Sequence, residues 1–136
     1  PTMSFQLHPT LDADTHLIST IDDCQILLMD DARFPWLILV PQASDVRELY
    51  ELSDQQQQQT YRAILRISKT LAQHTHADKM NVAALGNQVP QLHIHIIARY
   101  QTDAAWPGPV WGVGQVERYS KIELEQTMAS LVIALS

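Results

Sequence analysis

The 136-residue sequence is poor in cysteine, in basic residues and in long apolar runs, and each shortage excludes a class of protein. Cys24 is the only cysteine, so neither an internal disulfide nor a site built from several thiolates can form. Nine Lys and Arg residues against fifteen Asp and Glu give a net charge of -6, which argues against a general nucleic-acid-binding surface. No apolar run approaches the roughly 18 residues of a membrane span, and residues 1–11 lack the pattern of a secretory signal. We therefore expect a soluble, cytoplasmic protein that binds neither nucleic acid nor membrane.

The overall composition of the chain is that of a globular protein. Hydrophobic residues make up 46% of the chain and charged residues 18%, so disorder is not expected. The length fits one domain spanning residues 1–136. We find no internal repeat, and the glutamine run at 55–59 falls inside a helical pattern, where it predicts a solvated helix face.

Two helices are predicted from capping signals followed by apolar residues at helical spacing. Ser53 and Gln56 form a capping box before a pattern that extends from about 54 to 75. Ser120 and Glu123 form another before a C-terminal helix. Short apolar runs at 24–29, 36–40, 80–85 and 92–99 predict strands. Strands in succession with helices at separate places indicate an α+β fold with a mainly antiparallel sheet and helices on one face.

The strand predicted at 92–99 carries the residues of greatest chemical interest. Alternation along a strand places Gln91, His93 and His95 on one face and sends the apolar side chains between them to the other. Two imidazoles two residues apart on an open face could bind phosphate.

Two other interpretations of this His-x-His pattern remain open. The histidines could simply decorate the wet face of a half-buried strand. They could also bind zinc, but a zinc site needs a third ligand and often a fourth. The other histidines, at 8, 16, 74 and 76, lie in segments without matching spacing, so we expect no metal.

The wider segment at 86–97, GNQVPQLHIHII, resembles the signature of the histidine triad family. That signature reads Gly-Gln-x-Val-x-His-φ-His-φ-His-φ-φ, where φ is apolar. The stretches 24–30, 36–41 and 46–49 are similar to the nucleoside-binding half of the family, and WPGP at 106–109 is similar to the ending of its nucleotide-binding branch. The resemblance covers roughly residues 20 to 112 and implies a five-stranded, mainly antiparallel sheet with a long helix and a C-terminal helix.

The resemblance implies roles for four residues of the signature. His93 corresponds to the histidine that attacks the α-phosphorus of a nucleotide, and His95 to the one that supports the phosphate. Gln91 replaces the first histidine, whose main-chain carbonyl orients the imidazole of the nucleophile, and this carbonyl survives the replacement. Asn87 stands where the family has Gln.

Three more residues are candidates for substrate binding on the same resemblance. Gln88 corresponds to a position that contacts phosphate or leaving group. Asp30 most nearly matches the residue that binds the ribose hydroxyls, although aspartate is also common in turns for conformational reasons. Leu28 could line the base slot, although it could equally be ordinary core.

The resemblance implies an enzyme that hydrolyses or transfers a nucleotidyl group from a purine nucleoside phosphoramidate or a dinucleoside polyphosphate. The reaction would proceed through a nucleotidyl-histidine without a cofactor, and the chain would form a homodimer. The alternative is a non-catalytic nucleotide-binding regulatory module in which Gln91 and Asn87 mark lost catalysis.

Overall fold

A computed structural model of the chain describes residues 4–136. Its helices are α1 (Pro9–Asp14), α2 (Asp54–Thr75) and α3 (Lys121–Leu135), with one 3₁₀ turn at Leu49–Glu51. Its strands are β1 (Thr15–Ile21), β2 (Cys24–Met29), β3 (Trp36–Pro41), β4 (Lys79–Ala83) and β5 (Ile94–Arg99).

The strands form a five-stranded antiparallel sheet in the order β1-β2-β3-β5-β4. Strands β3 and β5 are neighbours in the interior of the sheet, and their register places Ile38 opposite His95. Strands β1 and β4 are the edges. Because β3 and β5 are covered on both faces, every residue of both strands is buried.

Each face of the sheet carries its own apolar cluster. On the helix face, the even-numbered residues of β5 pack with buried residues of α2 and α3, including Ile67, Leu71 and Leu131. On the opposite face, buried residues of the strands pack with Leu11, Phe34 and Val110. Burial of apolar surface in the two clusters stabilises the sheet from both sides.

The capping predictions for the two long helices are confirmed. Helix α2 begins after Ser53 and α3 after Ser120, and both capping boxes are formed by reciprocal hydrogen bonds with Gln56 and Glu123. Helix α2 ends at Thr75, and the next residue, His76, caps it in the left-handed conformation that commonly terminates a helix.

The predicted α+β fold is confirmed, with small differences at the strand ends. Strand β4 covers 79–83 rather than 80–85, and β5 begins at Ile94, so His93 lies just before the strand. Neither α1 nor β1 was located in the sequence. Strand β1 is an edge strand with an irregularity between Leu17 and Ser19, which interrupts the alternation that would have revealed it.

Within residues 4–136, no helix is long and apolar enough to cross a membrane.

Candidate active site

His93 and His95 lie together on the face of the sheet opposite the two long helices. Both are 6% exposed, and their ring centroids are 5.0 Å apart. Leu92 and Ile94 point into the helix-side core, as alternation requires. The two imidazoles line a cavity of about 400 Å³, a size suited to a small ligand.

Main-chain geometry fixes the tautomer of His93. Its Nδ1 lies 2.7 Å from the carbonyl oxygen of Gln91. A carbonyl oxygen can only accept a hydrogen bond, so Nδ1 must carry the proton. In the neutral ring, Nε2 therefore has a free lone pair, as a nucleophile requires.

His95 is held in the opposite tautomer by a tryptophan. The indole Nε1–H of Trp36 donates a hydrogen bond to His95 Nδ1 over 3.0 Å. An indole N–H can only donate, so His95 Nδ1 accepts and its Nε2 carries the proton. Burial, reinforced by the neighbouring His93, lowers the pKa of His95 to about 4. His95 is therefore a neutral hydrogen-bond donor at neutral pH.

Aromatic rings pack around the two histidines. Trp111 lies edge-on to His95 at 5.1 Å and to Trp36 at 6.0 Å, and it also lines the cavity. The loop that delivers Trp111 is anchored by Arg99, which is 1% exposed and pairs with Asp103 at 2.8 Å. These contacts limit the rotation of the His95 ring.

The loop between β4 and β5 forms another wall of the cavity. It contributes Asn87 and Gln88, the two amide residues expected to contact phosphate, beside His93 and His95. Gly86 has φ +64°, a conformation in which glycine avoids the strain of a side chain. The structure therefore brings four of the predicted site residues together.

Asp30 does not join them, which corrects the expectation that it contacts the ribose. Its carboxylate accepts hydrogen bonds from the Tyr119 N–H at 2.9 Å and from Arg118 at 3.0 Å, and His16 Nε2 lies 3.3 Å away. Burial opposes ionisation of Asp30, but these hydrogen bonds outweigh it and hold its pKa below the usual range. Asp30 lies outside the cavity lining and ties the segment before α3 to the end of β2.

Of the two alternatives for Leu28, the structure shows a core residue and not part of the cavity of the histidines. It is 1% exposed and belongs to the helix-side cluster, so it faces away from the histidines. It lines a different cavity, of about 290 Å³, between the sheet and the two long helices. Its neighbours Leu27 and Met29 face the other way, and Met29 lines the cavity of the histidines.

The acidic residue that does line the cavity is Asp14, the last residue of α1. Its side chain is 45% exposed, and Oδ1 lies 3.8 Å from Arg118. Thr10, Leu11 and Thr15 from the same part of the chain line the cavity as well. These residues are not identified from the sequence, because neither α1 nor β1 has a strong signal in it.

The cavity contains polar donors but no lysine or arginine among the described residues that line it. Across residues 4–136, no cluster of three His, Cys, Asp or Glu side chains is arranged to hold a metal ion.

Comparison with known proteins identifies the family of the chain. The family model described as "HIT domain" matches residues 10–102, which is more than half of the chain. The chain belongs to the histidine triad family. The search of curated proteins found no match to it.

Several solved histidine triad structures share the fold throughout. One from Marinobacter aquaeolei VT8 is 47% identical, with a TM-score of 0.95, and the match covers 98% of this chain and 97% of the other. One from Bradyrhizobium japonicum is 42% identical, with a TM-score of 0.95, and the match covers 98% and 100% of the two chains. A Hit-like protein of Bartonella henselae described as involved in cell-cycle regulation shares the fold at 17% identity and a TM-score of 0.65, with 88% and 86% covered.

Proposed function

We propose that the protein is a nucleotidyl hydrolase or transferase that forms a covalent intermediate on His93. The observation that carries the proposal is the pair of opposite tautomers, in which Gln91 O leaves His93 Nε2 unprotonated while Trp36 makes His95 Nε2 a donor. A nucleophile beside a fixed donor is the arrangement that phosphoryl transfer needs. Family membership supports nucleotide binding, because nucleotides are what the resemblance implies.

In the first step, the lone pair of His93 Nε2 attacks the α-phosphorus of the nucleotide. The bond from phosphorus to the leaving group breaks, its electron pair leaves with that group, and the departing group takes up a proton from solvent. The positive charge that develops on the imidazole is stabilised by the Gln91 carbonyl oxygen, 2.7 Å from Nδ1. His95 Nε2–H, Asn87 and Gln88 donate hydrogen bonds to the oxygens where negative charge develops.

In the second step, a water molecule attacks the same phosphorus and the P–N bond to His93 breaks. The imidazole recovers its lone pair, the nucleoside monophosphate departs, and a proton passes to solvent. An acceptor other than water would give a transferase by the same route. Each step uses neutral donors, so no lysine or arginine is needed at the phosphate.

The other half of the cavity would bind the nucleoside. Its apolar part, formed by Leu11, Met29 and Ile38, would hold the purine base in the role expected of Leu28. Asp14 takes the role expected of Asp30, because its partly exposed carboxylate can accept hydrogen bonds from ribose hydroxyls.

The proposal is tested by incubating the protein with adenosine and guanosine phosphoramidates and with dinucleoside polyphosphates while product release is followed. We expect release of a nucleoside monophosphate from at least one of them. A chelator should leave the rate unchanged, whereas loss of activity that is restored by one added metal would favour the zinc alternative.

A non-catalytic regulatory module is the second candidate, and the replacement of the first triad histidine by Gln91 favours it. The variant Gln91→His separates the two candidates. In an enzyme it should change turnover only modestly, because the orienting carbonyl is main chain. A wild-type protein that is inert toward every nucleotide, activated about a thousandfold by Gln91→His, would identify a module.

We also propose a homodimer, in line with the family resemblance. Strand β4 is an unpaired edge of the sheet within the chain, and its partly exposed residues lie beside the C-terminal end of α2. Pairing of two such edges would produce one continuous sheet. Light scattering after size-exclusion chromatography should give twice the chain mass of 15.4 kDa, and a monomer would contradict the proposal.

A further inference from the structure

The side chain of Gln91 does not line the cavity but forms hydrogen bonds with residues 6 and 8, near the start of the described residues. Its Oε1 accepts a hydrogen bond from the His8 N–H at 2.8 Å, and its Nε2 donates one to the Gln6 carbonyl at 2.9 Å. The carboxamide thus offers a donor and an acceptor side by side, the pair of groups that a neighbouring strand would present. The contact joins residues more than 80 positions apart in sequence.

The segment that Gln91 holds, residues 6–8, leads directly into α1, which forms a wall of the cavity. Helix α1 has only six residues, so it has little stability of its own and depends on tertiary contacts for its position. It supplies Thr10, Leu11 and Asp14 to the cavity lining. Its N-terminus is capped by His8, whose Nδ1 accepts from the Thr10 N–H at 3.1 Å.

We propose that Gln91 is a positioning residue that couples the nucleophile to this wall of the cavity. Its carbonyl oxygen orients His93, while its side chain holds residues 6–8 and, through them, the α1 wall against the bound nucleotide. The side chain thereby controls nucleotide affinity, and the main chain controls the chemistry. The inference rests on the proposed function for the identity of the ligand, but the holding of residues 6–8 by the Gln91 side chain does not.

The test measures amide hydrogen exchange of the peptide covering residues 4–14, together with AMP affinity and turnover of adenosine phosphoramidate. In Gln91→Ala, exchange at these residues should accelerate roughly fivefold or more, because the hydrogen bond to the His8 amide is lost. The Kd for AMP should rise by about fivefold or more, and any fall in kcat should be smaller than this loss of affinity, because the main-chain carbonyl that orients His93 is retained. Gln101→Ala, at an exposed glutamine after β5, is the matched control and should change none of these values.

The variant Gln91→Glu separates hydrogen bonding from packing. It keeps the shape and one acceptor but turns the donor into an oxygen facing the Gln6 carbonyl, so it should behave like Gln91→Ala. A residue that only fills space would tolerate this change.

Three results would overturn parts of the inference separately. Unchanged exchange at residues 4–14 in both Gln91 variants would refute the holding of residues 6–8 by the Gln91 side chain, whether or not the protein hydrolyses nucleotides. Faster exchange with unchanged AMP affinity would overturn the role of α1 as a wall. If wild type binds neither AMP nor any other nucleotide, the proposed function is wrong, and so is the effect of Gln91 on nucleotide affinity. The exchange data still test whether the Gln91 side chain holds residues 6–8.

Discussion

The indole nitrogen of Trp36 lies 3.0 Å from Nδ1 of His95, and this contact makes His95 the complement of His93. One imidazole keeps a free lone pair at Nε2 and the other presents a proton there. The proposed reaction therefore assigns a different part to each of these two neighbouring histidines.

Replacing Trp36 by Phe should remove this control over the tautomer. We expect kcat to fall roughly tenfold, the equivalent of one hydrogen bond, while nucleotide affinity changes little. Nitrogen NMR shifts of His95 should show mainly Nε2–H in wild type and a mixture of tautomers in the variant. Trp106→Phe, at a tryptophan that packs against Arg99 outside the cavity, serves as control. An unchanged His95 spectrum in Trp36→Phe would refute the assignment.

Protein stability should depend on pH through His95. Burial lowers its pKa from 6.5 to about 4, so between these values the unfolded chain binds a proton that the folded chain does not. Stability is therefore lost as pH falls from 6.5 toward 4, by about 3 kcal/mol in total. The pKa values of Asp30 and Asp103 are also lowered, so these residues cause a further loss of stability when the pH falls through and below 3.8. In urea unfolding at a series of pH values, the free energy of unfolding should fall less steeply between pH 6.5 and 4 in His95→Gln than in wild type. Equal dependence of this free energy on pH in the two proteins would contradict the prediction.

The assignment of the ribose carboxylate is tested by two matched variants. Asp14→Asn should weaken nucleotide binding by about 10- to 100-fold and reduce the preference for ribo- over 2′-deoxyribonucleotides. Asp30→Asn should leave affinity within about twofold but lower the unfolding midpoint, because its hydrogen bonds with Arg118 and Tyr119 are structural. The reverse result in calorimetry would restore Asp30 to the site.

Much of the site could be predicted because one short segment carries it. Strand alternation placed His93 and His95 on one face, and the loop before them brought Asn87 and Gln88 within reach. Leu28 could not be placed in this way, because β2 is apolar at nearly every position and both faces of the central sheet are buried. Only the register shows which face it occupies.

Asp30 and Trp36 illustrate a second limit, since their roles depend on distant partners. Asp30 is occupied by Arg118, 88 residues away, and Trp36 acts on His95, 59 residues away. Helix α1 and strand β1 were missed because one is very short and the other is an irregular edge strand. Their absence from the prediction concealed Asp14 and the hydrogen bonds of the Gln91 side chain to residues 6 and 8.

The central claim is that His93 becomes covalently attached to the nucleotide. The most direct measurement reacts the protein with adenosine phosphoramidate, quenches it in base and determines the mass of the peptide that contains His93. The account predicts a mass gain of one adenylyl group on His93, absent in His93→Ala, with turnover in that variant reduced by about 10⁴-fold or more. Hydrolysis within tenfold of wild type in His93→Ala, or an adduct on any other residue, would contradict it.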